Sequence, residues 1–105
     1  MATEVLTKQD AYVEIKNFII ENTNGMDYRS WYVGIADEPK RRLFTEHNVK
    51  KEVGPWIYRK CYSDTSAREV EQALIKNLKT QGGPGGGDNS TIFVYAYGIK
   101  NYTKQ

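Results

Sequence analysis

The chain has 105 residues, 39% hydrophobic, 27% charged and 12% aromatic with eight tyrosines, and a formal net charge of +2. That length supports one domain with a single modest core and excludes two. So small a charge cannot by itself argue for nucleic acid, one cysteine and one histidine cannot build a zinc site, and Cys61 has no intrachain disulfide partner.

No apolar run approaches a membrane span, the longest being Phe18-Ile19-Ile20 and Ile92 to Ala96. The opening MATEVLTKQD lacks the basic start and apolar core of a signal peptide, so a cytoplasmic location is expected.

From Thr7 to about Glu21 the spacing of Ala11, Ile15, Phe18 and Ile19 predicts a helix, capped by Thr7 with Asp10 and stopped by Asn22-Thr23-Asn24-Gly25. Ser30 to Ala36 reads as a strand, and Asp37 and Pro39 open a helix that reaches His47. His47 falls four residues after Leu43, on the same helical face. After the turn at Gly54-Pro55 comes a strand from Trp56 to Tyr62, then a third helix with a capping box at Ser66-x-x-Glu69, running to about Lys79. Residues 82–90, GGPGGGDNS, read as a flexible loop; without a Walker lysine or a strand before and a helix after, they are no phosphate cradle. Thr91 to Ile99 is the last strand, with Ile92, Val94 and Ala96 on one face and Phe93, Tyr95 and Tyr97 on the other. The expected fold class is α+β, a small sheet of about three strands packed by about three helices in one domain, with its core over residues 30–99.

Two features bear on chemistry. On a helical wheel Glu71 falls about 40° from Ala67, inside the stripe formed with Val70, Leu74 and Leu78, whereas Glu69 points to water. A carboxylate on a core-facing stripe needs a cation, a metal or a donor, because burying it unpaired costs several kcal/mol. Either a functional site or an arginine at the sheet edge answers that need. The second feature is a local basic cluster, Lys40, Arg41, Arg42, Lys50 and Lys51, joined by Arg59 and Lys60 and diluted by Glu38, Glu46 and Glu52. It reads equally as a solvated face or a phosphate-binding patch.

Together these residues resemble the GIY-YIG nucleases. In that family a Tyr-Ile/Val-Gly strand leads into a helix with an essential arginine, as Tyr32-Val33-Gly34 precedes Arg42 here. A later helix carries a metal-binding glutamate in a Glu-x-x-Leu-Ile-Lys context, matched by Glu71 to Lys76, and Asn89 stands where the family has an asparagine before its closing strand. His47 matches a histidine often found after the arginine. The likeness covers about Trp31 to Val94. The chain departs from the family where a Gly-Ile-Tyr strand should lie about ten residues before Tyr32, which here is a helix end and a loop. Tyr28 is the nearest upstream phenol, and Tyr95 or Tyr97 could replace the missing tyrosine if the last strand pairs with that of Tyr32.

The resemblance implies an endonuclease hydrolysing DNA, or less readily RNA, with one Mg²⁺ or Mn²⁺ held by Glu71. Arg42 would contact phosphate, Tyr32 would position or deprotonate the attacking water, Asn89 would hold the site together and His47 would assist. Lys40, Arg41, Lys50 and Lys51 would meet the nucleic-acid backbone, with specificity left to the module, to a dimer or to a partner protein. The competing expectations are a catalytically degenerate relative that still binds nucleic acid, and an interaction module using its aromatic last strand.

Overall fold

The computed structural model describes residues 4–23, 27–83 and 88–105. In chain order it has strand β1 (Val5–Leu6), helix α1 (Lys8–Glu21), a 3-10 turn (Tyr28–Ser30), strand β2 (Trp31–Ala36), a π-helix (Arg41–Glu46), strand β3 (Trp56–Cys61), helix α2 (Asp64–Leu78), strand β4 (Gln81–Gly82) and strand β5 (Phe93–Gly98). The class is α+β. The sheet has five strands in the order β1-β3-β5-β2-β4, not about three. The three long strands lie where the alternation placed them. The two additions are edge strands of two residues each, too short to carry a period, and parallel pairing to β3 and β2 alone defines them.

β5 is central. It runs antiparallel to β2, with Tyr32 opposite Tyr97 and Gly34 opposite Tyr95, and antiparallel to β3, with Trp56 opposite Tyr97 and Tyr58 opposite Tyr95. Alternation then sorts side chains between two faces. One face carries Trp31, Val33, Ile35, Val94 and Ala96, covered by Ala11, Ile15 and Ile19 of α1 and Ala67, Val70 and Leu74 of α2. The other carries Tyr32, Ala36, Tyr95 and Tyr97 beneath Leu43 and Val49.

The caps explain where the helices begin. Thr7 accepts the Asp10 N–H at 3.1 Å, as its sequence position implies. α2 starts earlier than a cap at Ser66 would allow: Ser63 is the N-cap, its hydroxyl accepting the Ser66 N–H at 3.1 Å, so the helix gains its first turn from Asp64 onward. At the other end Lys79 takes a left-handed conformation, φ 63°, and closes the helix onto the Ile75 carbonyl.

The helix after β2 is not α-helical throughout. His47 N–H donates to the Arg42 carbonyl five residues back at 2.8 Å, which is π-helical winding. The α-helical spacing that pairs His47 with Leu43 therefore gives way, and His47 follows Arg42 by one wide turn. The glycine-rich run also begins as ordered chain, since Gly82 belongs to β4. Residues 84–87 of that expected loop, and Asn24 and Gly25 of the expected helix stop, lie outside the described residues. Among the described residues no helix is long and apolar enough to cross a membrane.

Ser63→Ala is expected to lower stability by about 1 kcal/mol, with the loss read as a shift in urea midpoint at unchanged slope. An unchanged midpoint would remove the Ser63 cap.

Candidate active site

The site opens at an unpaired strand edge. β4 pairs with β2 only at Tyr32 and Val33, leaving Gly34 to Ala36 without a neighbouring strand on that side among the described residues. A cleft of about 270 Å³ lies at this edge, lined by Tyr32, Gly34, Arg42, Glu71 and Tyr95, together with Asp37, Gly83, Asp88 and Thr91. Four of the expected site residues, from β2, the π-helix, α2 and β5, thus converge on one surface. Glu71 reaches it from α2, the helix on the opposite face, at the β2 edge.

Glu71 is 3% exposed and forms no hydrogen bond or ion pair with a described residue. The structural arginine that would have explained a buried carboxylate is absent as a direct partner; Arg68, one turn earlier, acts only through its field. Burial raises the Glu71 pKa from 4.5 to about 7, with Arg68 opposing the shift.

Tyr95 is the most constrained group. Its ring crosses Gly34, its cross-strand partner, so closely that a Cβ there would stand 2.5 Å from the hydroxyl oxygen and 2.6 Å from Cζ. Only glycine leaves that space. The Tyr95 hydroxyl lies 2.6 Å from His47 Nε2 and accepts from Arg42 Nη2 at 3.5 Å. His47 Nδ1 lies 2.6 Å from the Lys104 carbonyl, which can only accept, so Nδ1 carries the proton in neutral His47 and Nε2 accepts from Tyr95. Burial lowers the His47 pKa and raises that of Tyr95, keeping both neutral near pH 7.

Tyr97 lies behind this pair, its hydroxyl 3.1 Å from His47 Nδ1 and donating to the Lys104 carbonyl at 3.5 Å. Tyr32, Tyr95 and Tyr97 share one face, with Tyr32 ring centroids 6.4 Å and 5.4 Å from theirs. Tyr95 lines the cleft and Tyr97 does not, which separates the two replacement candidates. The Tyr32 hydroxyl abuts Gly83, where a Cβ would approach it to 2.6 Å.

Arg42 Nε is 3.3 Å from Glu46 Oε1 yet buried and without a hydrogen bond, so its fork is only partly engaged. Proximity of the tyrosine hydroxyls and Glu46 outweighs burial, and the Arg42 pKa rises. Arg41 points elsewhere and is tied to Asp37, Glu38 and Glu46. Lys40, Lys50 and Lys51 are exposed, with Lys50 over the Tyr102 ring. Asn89 stands on an exposed turn outside the cleft lining, where Asp88 and Thr91 occur instead.

No sequence pattern pointed to the Lys104 carbonyl, Gly83 or Asp88. Gly34 was visible as part of Tyr-Val-Gly, but its reason, room for Tyr95, depends on strand register. Glu71, which meets no cation among the described residues, is the carboxylate that could hold a dication here; the cleft also borders Asp37, ion-paired with Arg41, and Asp88, which accepts from Ser90. Three or more acidic, histidine or cysteine groups do not cluster as a metal cage among the described residues.

Two outcomes are expected. Because the folded protein holds Glu71 at about 7 against 4.5 unfolded, the Glu71 contribution to stability is most favourable below pH 4.5, falls as pH rises from there to about 7 and then levels. Glu71→Gln should match the wild type near pH 4 and exceed it at pH 8, by on the order of 3 kcal/mol, in urea titrations at both pH values. Gly34→Ala should cost about 1–3 kcal/mol, since the locked Tyr95 ring must move; a neutral effect would show that the ring is free. Comparison with protein-family models, curated proteins and solved structures finds no match for this chain.

Proposed function

We propose that this protein is a GIY-YIG-like endonuclease that hydrolyses DNA phosphodiester bonds with one divalent metal. The observation that carries the reading is the convergence of Tyr32, Arg42, Tyr95 and a buried Glu71, without a partner among the described residues, on one cleft. Their order differs from the family's in one respect. The strand pairing with that of Tyr32 and bringing the second tyrosine comes last in this chain, as β5, where the family has it first.

Glu71 would hold Mg²⁺ or Mn²⁺. Bound there, the ion supplies Lewis-acid stabilisation of charge developing on phosphate. Arg42 presents guanidinium N–H groups to a phosphate oxygen. Tyr95 takes a proton from the attacking water as it passes its own to His47 Nε2, a transfer for which the 2.6 Å hydrogen bond is already aligned. Lys104, through its carbonyl, holds His47 in the tautomer that can accept. Tyr32 adds a second hydroxyl to orient the water.

A nucleic-acid binder without turnover is the second reading, favoured by the ion pair that diverts Arg42 toward Glu46. One assay separates them. With Mg²⁺ or Mn²⁺ the wild type should nick supercoiled plasmid, and Glu71→Gln, Arg42→Ala and Tyr95→Phe should each slow nicking by about 100-fold or more. No nicking by the wild type, or equal nicking by Glu71→Gln, would overturn the catalytic reading.

A further inference from the structure

The face of β3 that adjoins the cleft carries a second feature. Trp56 and Tyr58 lie nearly parallel at 9°, centroids 6.1 Å apart, and Phe93 meets Tyr58 edge-on at 6.0 Å. Trp56 is partly covered by Phe44 and held through Nε1 to the Lys51 carbonyl. Tyr58 and Phe93 instead remain half-buried and floor a groove of about 280 Å³, walled by Lys40 and Arg41. Lys60 Nζ lies 5.8 Å from the Phe93 ring centre.

Arg41 is matched by Asp37, Glu38 and Glu46, so positive charge at the groove comes from Lys40 and Lys60. Glu38 borders it, but its carboxylate is bound to Arg41 at 2.8 Å, while neither Lys40 nor Lys60 meets a carboxylate among the described residues. An aromatic floor beside lysines that meet no carboxylate among the described residues matches a nucleobase and its flanking phosphates. The volume, just under the roughly 300 Å³ at which small-ligand pockets begin, suits one unit of a polymer better than a free molecule. Continuity points the same way: Tyr58 is the cross-strand partner of Tyr95, and the helical turn carrying Lys40 and Arg41 carries Arg42 on its cleft side.

We propose that Tyr58 and Phe93, with Lys40 and Lys60, form a stacking site for an unpaired nucleic-acid strand, so that the protein engages its substrate where a single-stranded segment adjoins the bond to be cut. Binding to an unpaired strand stands on this groove alone; its link to cutting rests on the nuclease reading above.

The test is fluorescence anisotropy with a labelled oligothymidylate and a blunt duplex of equal length, in EDTA, so that binding is read without cleavage. Wild type should bind the single strand in preference to duplex. Tyr58→Ala should weaken single-strand binding about five- to hundredfold, Tyr58→Phe should restore it, and Lys40→Ala with Lys60→Ala should flatten its salt dependence. Circular dichroism checks that each variant is folded, and the lysine pair, neither member of it fully buried, serves if Tyr58→Ala is not. Preference for duplex, or equal single-strand affinity in wild type, Tyr58→Ala and the double lysine variant, overturns the stacking site. Tyr58-dependent binding by a protein that never nicks plasmid would sustain the stacking site and remove the nuclease; nicking without single-strand binding would do the reverse.

Discussion

The antiparallel pairing of β2 with β5 is the constraint from which the site follows. In its register Gly34 faces Tyr95 and Tyr32 faces Tyr97, so three phenols project from one face within stacking distance. A shift of β5 by one residue would turn Tyr95 and Tyr97 to the face covered by α1 and α2, away from Tyr32. Gly34 then lets the Tyr95 ring cross the β2 backbone and reach His47. Without that glycine the hydroxyl could not lie where Arg42 and His47 both meet it.

The two faces divide the work. Aliphatic side chains from β2 and β5 pack under two helices and supply the core. Aromatic groups dominate the other face, which the π-helix and the segment near Lys104 cover only in part. β4 is two residues long, so among the described residues Gly34 to Ala36 have no strand beside them on that side, and the cleft there is shared by a glutamate of the far helix and tyrosines of the near face.

Burial sets the electrostatics of this small site. Tyr95 and His47 are both held neutral, which keeps their hydrogen bond intact around neutral pH. Glu71 is left near the midpoint of its titration at pH 7, where a cation entering the cleft would favour the ionised form. Arg42, partly paired with Glu46, keeps its positive charge throughout this range.

Local pattern determined the α+β class, the three long strands, the alternation of Val94 and Ala96 against Tyr95 and Tyr97, and Glu71 as a carboxylate on a buried stripe, because each is a matter of period along one element. The two edge strands, the start of α2 at Ser63 and the π-helical turn setting His47 after Arg42 escaped it, since two residues have no period and neighbouring serines compete for one cap. What brought Tyr95 to Gly34, Glu71 to the cleft and the Lys104 carbonyl to His47 lay wholly in tertiary structure. Those contacts join residues 57 or more apart, or cross a sheet edge whose length no single segment encodes, and only the packing of the whole chain fixes them.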